Sequence, residues 1–428
     1  MKKFMDFMEK YFIPIAAKIG SQRHLVAIRD GFVGIMPLIL TGSFAILFNN
    51  IPIEGYVPFM EKTFGVDWKF VQNSIWDGSF AVISMLVVFT TAYSLARSYD
   101  KDPIACATVC YAALIMLFTG SETDWAIPFA FQGANGLMVS LAVALLVGTL
   151  FCKLLGNPKL LIKMPEGVPP AVAKSFAALF PSMIVLVIVG VLEAIIVWVL
   201  KIPNLHLFIF EAIQKPFSAI FSANLAPLLI LIFFQQLLWF FGLHGSNILA
   251  PIINAILLPL TTANVTAFGA GQIPENIINS QFLDSFVNLG GSGATLCLII
   301  AIYLVSKNKA NKIIANLSVM PGLFNINEPV LFGMPIVLNA IYIIPFILVP
   351  LVSATVAFYA TKLEIVPVIG TLAPWTAPPI VGAFVSTASP MGALVALVNV
   401  VIGIAIYIPF VIVADRKAVL DESQGLAQ

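Results

Sequence analysis

Three short stretches of this 428-residue chain carry groups able to hold a polar ligand. The first is Asn325-Ile326-Asn327-Glu328-Pro329, a carboxylate set against a proline inside very apolar sequence. Proline removes a backbone donor and biases its predecessor away from helix, so Glu328 is expected where a membrane-embedded segment breaks. An acid at the centre of a spanning helix costs about 2.5 to 3.5 kcal/mol on insertion scales, so one placed there needs a partner, a wet cavity or a ligand. The second is Gln235-Gln236-Leu237-Leu238-Trp239-Phe240-Phe241-Gly242-Leu243-His244-Gly245-Ser246-Asn247, where a helix is followed by two glycines that let the backbone bend at an imidazole. His244 either meets a ligand or bonds a neighbouring carbonyl between two helices; the glycines and Asn247 favour the ligand. Taken singly, Trp239 reads as packing. The third is Ala373-Pro374-Trp375-Thr376-Ala377-Pro378-Pro379, whose tryptophan is fixed between prolines. A rigid aromatic face of that kind suits a sugar ring or a cation.

The elements that position these groups lie in a membrane. The chain is 60% hydrophobic and 10% charged, with a mean hydropathy of +1.00, far from soluble domains and typical of an all-α polytopic membrane protein. A net charge of +1 leaves no footprint for nucleic acid. Cys106, Cys110, Cys152 and Cys297 lack metal-ligand or disulfide spacing and read as small buried hydrophobes. His24, His206 and His244 are too scattered for a catalytic triad or a metal pair, so no cofactor and no catalytic residue is expected. The first residues have no cleavable signal and read as an amphipathic surface helix.

Ten windows are long and apolar enough to span: 25–49, 77–98, 104–119, 135–153, 176–200, 222–241, 246–262, 284–306, 331–355 and 391–414. With both termini cytoplasmic, all but five of the 22 basic residues fall inside, the exceptions being Lys62, Lys69, Lys201, Lys215 and Lys362, as the positive-inside rule requires. Residues 154–175 are too polar to span and read as a further surface element. Residues 318–330 and 364–390 are apolar but interrupted, which predicts re-entrant hairpins. The chain divides into residues 1–200, an interfacial connector at 201–221, and residues 222–428 bearing the hairpins. The glycines of Asn288-Leu289-Gly290-Gly291-Ser292-Gly293-Ala294-Thr295 lack the strand and the lysine of a phosphate loop, so close helix packing is expected there, with Asp284 as a strut.

These stretches, together with Ile28-Arg29-Asp30-Gly31-Phe32 and the Met164-Pro165 to Pro169-Pro170 segment, resemble the IIC permease subunits of bacterial sugar phosphotransferase systems. The resemblance is to the lactose/cellobiose/diacetylchitobiose family and runs through nearly the whole chain. It implies a homodimer in the bacterial plasma membrane, with an N-terminal dimerisation half and a C-terminal half that carries one disaccharide by an elevator movement. It also implies that His244 and Glu328 bond sugar hydroxyls, that Trp239 and Trp375 line the pocket, and that Asn327 and Asn247 belong to it. A phosphorylated cytoplasmic EIIB, served by EIIA, would modify the sugar. The residues after Val413 are too few for another domain, so EIIA and EIIB are expected on separate chains. The competing reading is a proton-coupled sugar transporter in which Glu328 and His244 relay protons.

Overall fold

The computed structural model describes residues 13–423 except positions 50, 52–54, 119–126, 128, 161, 163, 164, 166–168, 223, 335 and 340. The proposed amphipathic start of the chain therefore lies mostly outside the described residues, as do six positions of the 154–175 segment. The helices used below are α1 (Arg23–Asn49), α2 (Ile83–Ser98), α3 (Pro103–Met116), α4 (Leu137–Leu155), α5 (Pro170–Ala194), α6 (Leu225–Phe240), α7 (Gly245–Gly269), α8 (Thr295–Val305), α9 (Lys309–Leu323), α10 (Glu328–Gly333), α11 (Ile343–Lys362), α12 (Pro379–Thr387) and α13 (Pro390–Ser423). No strand occurs among the described residues, which is how a chain in hydrocarbon satisfies its own backbone.

Eight of the ten windows contain helical stretches long and apolar enough to cross a membrane. The other two hold α6, which meets the preceding helical segment Leu205–Ser222 at 86°, and α3. With 14 residues, α3 reaches only about 21 Å against a hydrocarbon core of about 30 Å. Its start is sharply defined: the Asp102 carboxylate accepts from the backbone N–H groups of Ile104 and Ala105, both at 3.0 Å, with Pro103 in the first turn. Around the outside, α5 exposes Phe176, Met183 and Val187, the surface expected of a helix whose solvent is lipid.

Four larger cores hold the bundle. One lies within residues 85–189 and includes Ala92, Cys110, Val143, Phe151 and Val185. Two belong to the later part of the chain, around Phe282, Phe286 and Ala357 and around Leu298, Phe346 and Tyr407. The fourth joins Ile28, Phe32 and Leu137 to Leu258, Val265 and Leu372. It lays α1 alongside α7: a Cβ added at Gly20, just before α1, would meet Ile248, and one at Gly269 would meet Ile46. The two helices therefore run in the same direction. All four cysteines are buried and unpaired.

Two of these eight spans differ in detail from the expected windows, one being interrupted and the other displaced. The 284–306 window is not one continuous helix: helical turns over 280–287, including a π-turn at Leu283–Val287, give way to a break before α8. Gly290, Gly291 and Gly293 take φ of 85°, 95° and 74° there, a region costly for other residues. These glycines both break the helix and permit close packing, since a Cβ on Gly293 would lie 2.2 Å from the Phe346 ring. The 331–355 window is displaced. The short α10 ends at Gly333, Met334 before Pro335 turns extended, and the long helix starts only at Ile343. Residues 318–330 and 364–390 are interrupted as expected, with the breaks at 324–327 and 363–378.

Candidate functional site

The break between α6 and α7 begins at Gly242, whose φ of 76° turns the chain. It closes at Gly245, where a Cβ would come within 2.1 Å of the Gln235 carbonyl oxygen. Held between them, His244 caps α7: its Nδ1 accepts the Asn247 backbone N–H at 3.2 Å. A neutral ring with Nδ1 so occupied carries its proton on Nε2.

That Nε2 lies 3.9 Å from Oε1 of Glu328. The gap exceeds a hydrogen bond, yet one hydroxyl could sit at about 2.8 Å from both atoms. Glu328 opens α10, where Pro329 suits the first turn. The side chains of His244 and Glu328 are 41% and 47% exposed, so both reach open space from opposite breaks. From α1, the guanidinium of Arg29, paired with Asp30 at 2.7 Å, acts electrostatically on His244.

The tryptophans take different places. Trp375 is 44% exposed, whereas Trp239 is only 3% exposed. The Trp239 ring lies 4.2 Å from that of His244, and its indole N–H donates to the Ser246 hydroxyl at 3.3 Å. Trp239 therefore backs the imidazole. Asn327 is also buried, with its amide donating to the Ser292 carbonyl at 2.8 Å. Asn247 is exposed at the first turn of α7.

Beneath these groups lies a polar network whose members stand in the separate motifs but whose bonds to one another the motifs do not show. The Ser246 hydroxyl shares a hydrogen bond with that of Ser292 at 3.1 Å and accepts from the Gln235 amide at 3.1 Å. The Gly293 N–H donates to Gln236 Oε1 at 2.9 Å, and the Tyr407 hydroxyl donates to the Gly293 carbonyl at 2.6 Å. Asn325, at a φ of 61°, bridges further: its Oδ1 accepts from Gly290 N–H at 2.8 Å, and its Nδ2 donates to the carbonyls of Trp375 at 2.5 Å and Ala377 at 3.1 Å. The available signal was Gln235-Gln236 in an otherwise apolar helix, because buried amides need partners.

The arrangement brings one carboxylate and one imidazole together, with the Trp239 ring behind the imidazole and a polar network bracing the surrounding breaks. It is equipped to bind a polyhydroxylated molecule.

The sequence matches the family model described as Phosphotransferase system, EIIC, over residues 29–350. It is 36% identical to the lichenan permease IIC component of Bacillus subtilis (strain 168), covering 99% of this chain and 96% of that protein. It is 35% identical to the cellobiose-specific EIIC component of Lactococcus lactis subsp. lactis (strain IL1403), covering 97% and 99%. The fold superposes with a TM-score of 0.93 on the crystal structure of ChbC, the IIC component of an N,N'-diacetylchitobiose-specific phosphotransferase system. That match has 35% identity and covers 98% of this chain and 100% of the other.

Proposed function

Because the chain belongs to the EIIC family of the phosphotransferase system, we propose that it is a permease for a cellobiose- or diacetylchitobiose-type disaccharide and presents that sugar to phosphorylated EIIB. The observation that carries this reading is the 3.9 Å approach of His244 Nε2 to Glu328 Oε1. A disaccharide leaving water must replace the bonds to its hydroxyls, and an ionised acceptor makes the stronger replacements. In this reading, Glu328 accepts from sugar hydroxyls and His244 positions the hydroxyl to be modified. Trp375 offers its face to a ring, with Trp239, Asn327 and Asn247 completing the pocket and its support. Phosphoryl transfer depends mainly on placement and charge, so fixing one hydroxyl against an incoming phosphoryl group supplies much of what the reaction needs.

The reading also assigns residues 1–200 to a dimerisation half and residues 222–428 to the half that carries sugar, with both termini cytoplasmic. The names of the relatives support the sugar class, and a likeness that covers 97 to 99% of the chain supports the shared transport role. Vesicles containing the purified protein test it. They should accumulate phosphorylated disaccharide only when phosphorylated EIIB is supplied on the cytoplasmic face. Accumulation of unmodified sugar driven by a pH gradient, without EIIB, would replace this reading with proton-coupled transport.

A further inference from the structure

We propose that Asn325 is a positioning residue that fixes the Trp375 ring relative to the Glu328 carboxylate, and thereby sets the preference of the site for disaccharides over monosaccharides. The proposal rests on the permease reading above.

Three breaks in the helical structure meet at this one side chain. Asn325 lies in the break that presents Glu328 three residues later. Its Oδ1 holds the Gly290 N–H at 2.8 Å, in the break before α8. Its Nδ2 holds the carbonyls of Trp375 and Ala377 at 2.5 and 3.1 Å, in the turn before α12. The Trp375 ring is substantially exposed, so its position depends on how its backbone is anchored. Two of the anchors recorded for that segment come from Asn325.

The position is demanding in residue type. A φ of 61° is readily taken by glycine, asparagine and aspartate. Joining one N–H to two carbonyls needs an acceptor and two donors on one short side chain, which among these three only the asparagine amide supplies. Glutamine has the chemistry but is longer and less suited to the left-handed backbone. An aromatic platform held at a set distance from a hydroxyl-binding acid measures ligand length. A second sugar ring gains from the platform only if the spacing is correct, whereas a single ring bound at Glu328 does not need it.

Asn325→Asp separates the two ties. It tolerates the backbone and keeps the acceptor for Gly290, but sets a carboxylate oxygen against the carbonyls of Trp375 and Ala377. Cellobiose and glucose binding to the purified full-length protein should be measured for wild type, Asn325→Asp, Trp375→Ala and the double variant. Asn325→Asp should weaken cellobiose tenfold or more and glucose less than threefold. In the Trp375→Ala background, the same change should cost less than twofold, because the platform it positions is gone. Should Asn325→Asp not yield monodisperse protein, Asn325→Gly keeps the backbone and serves in the same cycle. Equal losses with and without Trp375, or unchanged cellobiose binding, would overturn the proposal. A wild-type protein that binds no disaccharide at all would instead overturn the permease reading and this inference with it.

Discussion

His244 and Glu328 approach within 3.9 Å across two different helix breaks, one between α6 and α7 and the other between α9 and α10. Neither residue could be held there by an unbroken helix. The apolar bundle therefore gives up regular backbone where these polar side chains meet, which membranes tolerate only where the backbone is packed in protein or lines a cavity.

Glu328→Gln should weaken disaccharide binding by roughly 10- to 150-fold, corresponding to about 1.5 to 3 kcal/mol for a hydrogen bond to a charged group. Because the side chain is nearly half exposed, the melting temperature should stay close to wild type. Calorimetric binding and thermal melting of the same preparation separate the two effects. Parallel loss of folding would make Glu328 a structural acid.

His244→Gln should reduce the rate of sugar phosphorylation by phosphorylated EIIB at least as strongly as it reduces binding. Glutamine can hydrogen-bond but cannot reproduce a ring fixed through Nδ1 to Asn247. Single-turnover transfer at saturating sugar checks this, and an unchanged rate would remove His244 from the positioning role.

Gly293→Ala should destabilise the protein by about 1 to 3 kcal/mol or more, through overpacking and a left-handed backbone. The added methyl would fall 2.2 Å from the Phe346 ring. Thermal melting in detergent should show an earlier transition, and a wild-type melting curve would contradict the tight packing.

Asp415→Ala should give the signature opposite to that of Glu328→Gln. Its carboxylate accepts from the Ser306 hydroxyl, the N–H groups of Lys307 and Asn308, and the Asn311 amide, at 2.6 to 3.3 Å. These bonds pin the end of α13 to the loop between α8 and α9. Losing them should lower the melting temperature by an amount corresponding to about 1 to 3 kcal/mol, while sugar affinity stays within twofold. A large affinity loss would tie this anchor to the binding cluster.

The sequence made some of this legible and concealed the rest for physical reasons. Hydropathy located helices in all ten windows, because apolar length is a local property. His244, Glu328 and Trp375 stood out because polar or proline-framed aromatic residues are costly or unusual in apolar surroundings. The 284–306 break was missed because hydropathy averages over a few glycines, and glycine is equally suited to close packing and to positive φ. The displaced start of α11 has the same origin: Met334 and Tyr342 are apolar enough to resemble a continuing span. Asn325 stands within the Glu328 motif, but nothing in the sequence marks it as a junction. Its partners, Gly290 and Trp375, are distant in sequence, and two of its three bonds go to backbone carbonyls that leave no sequence trace.

Equilibrium binding of cellobiose, diacetylchitobiose and lactose to the purified protein, with Glu328→Gln measured alongside, tests the central claim most directly. The account predicts saturable binding of at least one β-linked disaccharide, weakened at least tenfold in the variant. Binding of a disaccharide that is indifferent to Glu328→Gln, or no binding of any of the three by wild type, would contradict it.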